Sequence, residues 1–246
     1  MRAINQSKKA NACKTVQEFY MNSNFFQIPK TEQQLLQNCS AIAGQSLSEL
    51  AALCKVNLPE DLKFSKGLTG QLLEKVLGAT AGNAAEPDFQ DLSIELKTIP
   101  VDINGKPRET TYVCTVPLLN SASNWEQSWV RRKLNRVLWL PIEADPQIPL
   151  ANRRIGMGFL WSPSEIQSII LQQDWEELMQ LITTGQFERI TAKIGTYLQI
   201  RPKAANSKTL TKATNELGVP CLTTPRGFYL RTQLTDAILQ QAFILP

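Results

Sequence analysis

Histidine is absent from all 246 residues of the sequence. Its absence excludes Ser-His-Asp and Cys-His catalysis, the HEXXH zinc motif and nucleases that place a metal on histidine. If the protein is an enzyme, its acid–base chemistry falls to carboxylates, lysine, tyrosine or metal-bound water.

Cysteine pairs and long apolar runs are also missing. The five cysteines are scattered and none forms a C-x-x-C pair, which argues against a structural zinc site and a disulfide framework. No apolar run approaches the roughly 20 residues that span a bilayer. The first residues, MRAINQSKKANACK, lack the apolar core of a secretory signal. We therefore expect a soluble, cytoplasmic protein without a membrane segment.

Positive charge is concentrated in two segments, although the net charge is only +4. One segment is WVRRKLNR (129–136) and the other is ERITAKIGTYLQIRPKAANSKTLTK (188–212). Such local positive surfaces suit a polyanion such as nucleic acid. For any single lysine a solvated helix face is the better explanation, but two separate clusters weigh against it.

Strands and helices alternate irregularly along the chain, which predicts a mixed α/β fold. Residues 1–28 are polar and aperiodic, so we expect an N-terminal extension followed by a single domain over 29–246. Capping-box spacings predict helix starts at Thr31 and Ser46, and a helix over 162–185 capped by Ser162 with Glu165. Apolar patterns predict further helices over 68–82, 124–135, 207–218 and 235–243, and strands from 92 and over 110–118, 136–144, 196–202 and 226–231. Asn104-Gly105 predicts a tight hairpin.

The stretch PDFQDLSIELKTIP (87–100) carries the first candidate site. The alternation places Glu95 and Lys97 together on the polar face of a strand, with Asp88 in the turn before it. Two carboxylates form an oxygen site suited to Mg²⁺, and a neighbouring lysine can position water and balance charge. Charged residues on an exposed strand face are common, so the pattern alone favours a solvated sheet edge.

Two more residues near this pattern have side chains suited to the same chemistry. Glu74 lies on an otherwise apolar helix and is a candidate third carboxylate, or else an exposed helix residue. Lys133 lies in the basic segment and is a candidate second cation near a phosphate, or else ordinary surface charge. Spacing alone leaves both alternatives open.

Long stretches from about Thr31 to the C-terminus resemble the MutH family of mismatch-repair endonucleases, which are related to restriction enzymes of the PD-(D/E)XK type. The stretches that carry the resemblance are GQLLEKVLGATAGNAAEPDFQDLSIELKTIPVD, ETTYVC, VRRKLNRVLWLPIE, DWEELM, ERITAKIGTYLQIRPKAAN and PRGFYL. They are longer and more specific than the short D-x6-E-x-K pattern.

The resemblance implies a restriction-endonuclease-like central sheet flanked by helices, in a two-lobed clamp around a DNA cleft. It implies a monomer that nicks the unmethylated strand at hemimethylated GATC sites in double-stranded DNA. It also implies dependence on Mg²⁺, activation by the mismatch-repair ATPase MutL and an indirect link to MutS.

By position, the resemblance makes Asp88 and Glu95 metal ligands and Lys97 the catalytic lysine. Glu74 matches the helix glutamate near the metal, which makes it a further metal ligand. Lys133 matches an additional active-site lysine.

The resemblance also assigns residues that contact DNA. Lys66 lies in a loop expected to touch DNA, and Arg201 and Lys203 match residues that read GATC. Tyr229 matches the tyrosine that senses adenine methylation, although its spacing alone is that of a core aromatic residue at a strand end.

Two other functions are compatible with the same residues. One is a GATC-specific restriction endonuclease that cuts both strands, which requires two active sites through dimerisation or a duplicated domain. The other is a DNA-binding module without catalysis, against which the complete set of Asp88, Glu95 and Lys97 argues. The chain has one D-x6-E-x-K motif, which favours a nick.

Overall fold

The computed structural model describes residues 27–57, 67–82, 86–119, 124–203 and 209–243. Its helices are α1 (Glu32–Ile42), α2 (Leu47–Cys54), α3 (Leu68–Leu77), α4 (Trp129–Leu134), α5 (Glu165–Thr183) and α6 (Thr232–Ala242). Its strands are β1 (Glu95–Val101), β2 (Thr111–Thr115), β3 (Val137–Glu143), β4 (Phe159–Trp161), β5 (Leu198–Pro202), β6 (Thr211–Thr214), β7 (Pro220–Thr223) and β8 (Arg226–Leu230). The predicted mixed α/β fold is therefore confirmed.

The strands form two small sheets and a hairpin. In the first sheet, β3 lies between β1, to which it is parallel, and β4, to which it is antiparallel. In the second, β8 lies between β2 and β5 and is antiparallel to both. The hairpin consists of β6 and β7. The two sheets carry the two candidate sites described below.

Strand β3 lies between two apolar cores. Leu138 and Leu140 pack with residues of α1, α2 and α3, whereas Val137 and Trp139 pack with residues of α5, α6 and the second sheet. Successive side chains of a strand point to opposite faces, so each core receives alternate residues of β3. A strand buried on both faces explains the nearly continuous apolar run VLWLPI.

Local capping signals fix the first two helices where they were predicted. The Thr31 side chain accepts a hydrogen bond from Gln34 N at the start of α1. At the start of α2, Ser46 and Glu49 form a full capping box. Both caps satisfy backbone N–H groups that lack partners inside the helix.

The predicted cap of α5 is wrong by two residues. Ser164 is the N-cap, and it forms the capping box with Gln167. Ser162 instead donates a hydrogen bond to Asn135 O. The sequence SPSEIQ contains two overlapping cap signals, and the tertiary contact of the first serine leaves the second to cap the helix.

The helix predicted over 207–218 is also wrong for its described part. Residues 211–223 form the hairpin of β6 and β7. Asn215 Oδ1 accepts hydrogen bonds from the N–H groups of Leu217 and Val219, and Gly218 has a φ of 73°. The Asn215 side chain stabilises this turn, and β-branched threonines in the flanking strands favour extended backbone. Together these preferences outweigh the helical preference of the segment.

The tight hairpin predicted at Asn104-Gly105 forms, because Val101 and Pro107 make an antiparallel bridge across the turn and Arg108 N donates a hydrogen bond to Pro100 O. Asp102 Oδ1 accepts hydrogen bonds from Asn104 N and Lys106 N, and Gly105 has a φ of 74°. Strand β1 pairs with β3, and β2 pairs with β8. The predicted hairpin is therefore confirmed but short, and beyond it the two strands pair with different partners.

A buried carboxylate ties α5 to the start of β5. Asp174 is 5% exposed. Its oxygens accept hydrogen bonds from the backbone N–H groups of Thr196, Tyr197 and Leu198 at 2.7, 2.6 and 2.8 Å. Charge-assisted hydrogen bonds of this kind satisfy three donors at once and hold the beginning of β5 in place.

We expect Asp174→Ala to lower the free energy of unfolding by about 3 kcal/mol, because it leaves buried N–H groups without an acceptor. Urea unfolding followed by circular dichroism measures the change. The control is Glu176→Ala on the exposed side of the same helix, where we expect a change within about 0.5 kcal/mol. Equal effects of the two substitutions would contradict the role of Asp174.

Most of the predicted N-terminal extension, residues 1–26, lies outside the described residues, so that prediction is untested. Among the described helices, none is long and apolar enough to cross a membrane.

Candidate active site

Glu95 begins β1 and is buried rather than solvated. Its N–H donates a hydrogen bond to Arg136 O, and the residue is 2% exposed. The strand starts at Glu95 instead of Leu92, because Ser93 adopts a left-handed conformation with a φ of 55°. The solvated-edge explanation for this face of β1 is therefore wrong at Glu95.

Two lysines bind the carboxylate of Glu95. Lys97 Nζ lies 2.5 Å from Glu95 Oε1. Lys133 Nζ lies 2.9 Å from Oε1 and 3.0 Å from Oε2. The two lysine side chains are 12% and 18% exposed, so both ammonium groups are held mostly out of water. The structure thus brings together three residues that were predicted to act together.

Asp88 is fixed beside Glu95 by the backbone. Its Oδ2 accepts a hydrogen bond from Leu96 N at 2.7 Å, and its carbonyl oxygen accepts one from Thr80 N at 2.9 Å. Burial and the negative charge of Glu95 raise the pKa of Asp88, against the opposing effects of the Leu96 hydrogen bond and two nearby lysines. The two carboxylates therefore share one weakly solvated space.

Glu74 on α3 faces the same space. The apolar side of α3 packs into the first core and leaves Glu74 half-buried at its margin. Burial raises the pKa of Glu74, as do the charges of Asp88 and Glu95, while Lys97 and Lys133 lower it. The helix glutamate thus belongs to the electrostatic environment of the site.

Helix α4 positions Lys133. Ser128 is 1% exposed and caps this helix by accepting a hydrogen bond from Arg131 N. Burial lowers the pKa of Lys133, but its hydrogen bond and attraction to Glu95, with smaller contributions that include Asp88, outweigh burial and leave the pKa raised. The ammonium group therefore stays charged at neutral pH.

The donor set suits a hard divalent cation. Asp88 and Glu95 offer carboxylate oxygens whose mutual repulsion a cation would relieve, and Mg²⁺ accepts one or two protein carboxylates because it keeps several waters. Within the described ranges, no group of three or more His, Cys, Asp or Glu side chains is arranged to hold a metal. Glu74 as a third ligand therefore remains a prediction.

A second cluster lies on one face of the sheet formed by β2, β8 and β5. Tyr112 and Tyr229 are cross-strand neighbours whose rings meet edge to face, with centroids 5.4 Å apart. Arg201 Cζ lies 5.8 Å from the Tyr229 ring centroid, and Lys203 Nζ lies 3.6 Å from that of Tyr112. Cations over aromatic rings are held in place by the ring quadrupole. We call these four side chains the recognition cluster.

Close packing positions the tyrosine pair. A Cβ atom at Gly227 would lie 3.0 Å from the Cε2 atoms of both Tyr112 and Tyr229. Burial and the neighbouring Tyr112 raise the pKa of Tyr229, against the charge of Arg201. Tyr229 therefore remains a neutral phenol. The absence of a side chain at Gly227 leaves room for the rings of both tyrosines.

Of the residues predicted to contact DNA, the structure brings together Arg201, Lys203 and Tyr229. Lys66 lies outside the described residues. Sequence reasoning missed Tyr112, whose hydroxyl also lies 3.0 Å from Thr115 Oγ1. Its signal was present in ETTYVC as a polar-face aromatic in a strand, but only the pairing of β2 with β8 reveals its neighbour.

Comparison with known proteins supports the resemblance. A family model described as "DNA mismatch repair enzyme MutH" matches residues 77–174. The DNA mismatch repair protein MutH of Enterobacter sp. (strain 638) is 56% identical over 218 residues, which are 88% of this chain and 95% of that protein. This chain belongs to the MutH family. The MutH proteins of Serratia proteamaculans (strain 568) and Vibrio vulnificus (strain YJ016) are each 55% identical, over 88% of this chain and 96% of their own.

The MutH family model covers most of the candidate active site. Asp88, Glu95, Lys97 and Lys133 fall within the matched residues, and Glu74 lies just before them. The two strands that carry Arg201 and Tyr229 lie beyond this match, within a chain that aligns with MutH relatives over most of its length.

Proposed function

We propose that this MutH-family protein is a Mg²⁺-dependent DNA endonuclease that nicks the unmethylated strand of hemimethylated GATC sites during mismatch repair. One observation carries the proposal: the buried carboxylate of Glu95 is bound by Lys97 and Lys133 and lies beside Asp88. Relatives named as mismatch-repair proteins supply the biological context.

Asp88 and Glu95 are the residues that would hold the metal. When bound, Mg²⁺ supplies Lewis-acid polarisation of a phosphoryl oxygen and a lowered pKa for a bound water. Lys97 presents a preorganised ammonium group to the charge that develops on the phosphate during cleavage. Lys133 adds a second positive charge and contacts both oxygens of the Glu95 carboxylate.

The recognition cluster supports the proposal that the protein recognises the GATC sequence and its methylation. The guanidinium of Arg201 can donate two hydrogen bonds to guanine O6 and N7, and Lys203 can add a further donor. The rigid ring of Tyr229 can lie near adenine N6 with little loss of conformational entropy. Such a ring accepts an amino group and collides with its methylated form.

The remaining parts of the proposal follow the family resemblance. We propose that the chain forms a two-lobed clamp with DNA between the lobes and acts as a monomer in the cytoplasm. Activation by MutL, with MutS acting indirectly, completes the proposal. The single D-x6-E-x-K motif in the sequence supports one cut in one strand.

Supercoiled plasmid distinguishes the possible activities. With Mg²⁺ and MutL, we expect unmethylated plasmid that contains GATC to become open circle, and we expect no product in EDTA or from a GATC-free plasmid. Direct conversion to the linear form would support a restriction enzyme that cuts both strands. Binding without any product would support a DNA-binding module.

Tyr229→Ser should weaken methylation sensing while GATC preference survives. A methyl group rejected by a packed site is worth about 1–3 kcal/mol, so we expect the preference for unmethylated strands to fall roughly tenfold or more. Rates of strand-resolved nicking on hemimethylated and fully methylated duplexes measure this preference.

Arg201→Ala serves as the contrasting variant for Tyr229→Ser. It should weaken binding and site preference together by about 1–3 kcal/mol, and Lys203→Ala should weaken both to a smaller extent. If Tyr229→Ser distinguishes methylated strands as well as the wild type does, the sensor lies elsewhere.

A further inference from the structure

A cavity of about 290 Å³ lies at one end of the second sheet, where β8 begins beside the β6–β7 hairpin. It is lined chiefly by Thr115, Leu119, Thr211, Lys212, Pro225 and Arg226. We call it the Arg226 cavity. Its lining contains two cations, two hydroxyl groups and no acidic side chain.

The side chain of Arg226 has one buried donor without an acceptor among the described residues. Its Nε atom is buried and unpaired, and its side-chain contact is with the Phe187 ring, 5.7 Å from Cζ to the centroid. A buried donor without an acceptor is costly, and a guanidinium normally finds a carboxylate, a carbonyl or an anion. The unpaired Nε–H therefore indicates a ligand that supplies oxygen atoms.

The electrostatic setting favours a negatively charged ligand. Burial lowers the pKa of Arg226, and the charge of Glu188 only partly offsets that effect. Lys212 is exposed at the cavity and brings a second positive charge. An anion at this place would compensate both cations, and the hydroxyls of Thr115 and Thr211 would add neutral donors.

The Arg226 cavity adjoins the recognition cluster through two contacts. Thr115 Oγ1 lies 3.0 Å from the hydroxyl of Tyr112. The carbonyl oxygen of Pro225 accepts a hydrogen bond from Lys203 N at 2.7 Å. Thr115 and Pro225 line the cavity, so two of its lining residues contact the recognition cluster directly.

We propose that the Arg226 cavity is an anion site that receives a backbone phosphate of the DNA beside the recognised sequence. This inference rests on the proposed function. Arginine donates two parallel hydrogen bonds to a phosphate, and lysine adds a point charge. Such a contact fixes the register of the protein on DNA and carries no sequence information itself.

The salt dependence of DNA binding tests this site. Each phosphate neutralised on B-DNA contributes about 0.9 to the slope of log K against log salt. We expect Arg226→Gln to reduce the slope by about that amount, equally on GATC and GATC-free duplexes, and Arg226→Lys to restore most of it. The control is Arg154→Gln, an exposed arginine outside both basic segments that donates a hydrogen bond to Gly44 O, and it should leave the slope nearly unchanged.

Fluorescence anisotropy of the full chain with labelled duplexes supplies these slopes, and thermal melting confirms that each variant is folded. If a folded Arg226→Gln variant keeps the wild-type slope, or loses no more of it than Arg154→Gln does, the phosphate site is wrong. Failure of the wild type to nick GATC plasmid would instead overturn the proposed function, while the slopes would still report on the Arg226 cavity.

Discussion

Asp88→Asn should reduce Mg²⁺-dependent cleavage at least about 100-fold, since a bound metal contributes several kcal/mol to stabilising the transition state. The amide still accepts the hydrogen bond from Leu96 N, so the turn before β1 should stay in place. DNA affinity should be unchanged or higher, because the substitution removes a negative charge near phosphate. Single-turnover cleavage and anisotropy on the same duplex measure the two effects.

The same substitution has an expected effect on stability. Folding raises the pKa of Asp88, so the charged carboxylate is less favourable in the folded protein, and its cost disappears as the pH falls through the folded pKa. At neutral pH and in EDTA, Asp88→Asn should therefore raise the melting temperature. Groups that an active site needs commonly lower the free energy of unfolding of the protein in this way.

Asp91→Asn is the matched control for Asp88→Asn. Asp91 lies in the short turn Gln90–Leu92, is mostly exposed and pairs with Lys30 at 2.8 Å. Its substitution should leave cleavage within about twofold of wild type, because exposed ion pairs contribute little. Near wild-type cleavage by Asp88→Asn, or an equal loss in both variants, would refute the assignment of Asp88 as a metal ligand. Glu95→Ala should likewise abolish cleavage with binding retained.

Lys97→Met should lower the rate on saturating DNA by roughly 100- to 1,000-fold, as removal of one preorganised electrostatic contact typically does. The dissociation constant should change by less than about threefold, because the ammonium group acts mainly in the transition state. Lys133 still contacts both oxygens of Glu95 in this variant, so the carboxylate keeps a partner and the fold should survive.

Lys106→Met, in the exposed turn after β1, controls for the loss of one positive charge. It should leave the cleavage rate on saturating DNA nearly unchanged. A Lys97→Met variant that loses affinity but keeps its rate at saturation would make Lys97 a phosphate contact instead of a catalytic residue.

Much of the local structure was predictable from short-range signals. Side-chain caps at Thr31 and Ser46 specify where α1 and α2 begin. Each cap forms between residues only three positions apart, so the sequence pattern alone reveals it. The apolar alternation at the start of β1 was likewise visible, and Ile94, just before the strand, and Leu96 are buried as that pattern predicts. These features depend on neighbours within a few positions.

Features that depend on distant partners were not predictable. The alternation around Glu95 describes a strand with one polar face, but the burial of that face comes from α4, which brings Lys133 from 38 positions away. The pairing of β1 with β3, instead of β2, has the same origin. Local patterns contain no information about which remote segment covers a surface.

The recognition cluster was also predictable only in part from the sequence. The sequence and its family resemblance identified Arg201, Lys203 and Tyr229 one at a time. Their arrangement on one face, and the part of Tyr112 in it, required the register of β2 and β5 against β8. A shift by one residue would turn each side chain to the other face.

Strand-resolved cleavage of a hemimethylated GATC duplex tests the central claim most directly. The two strands carry different end labels, and the reaction contains Mg²⁺ and MutL. We expect the wild type to cut the unmethylated strand alone, and Asp88→Asn to cut it at least about 100-fold more slowly. Equal cutting of both strands, or near wild-type cleavage by Asp88→Asn, would contradict the proposed function.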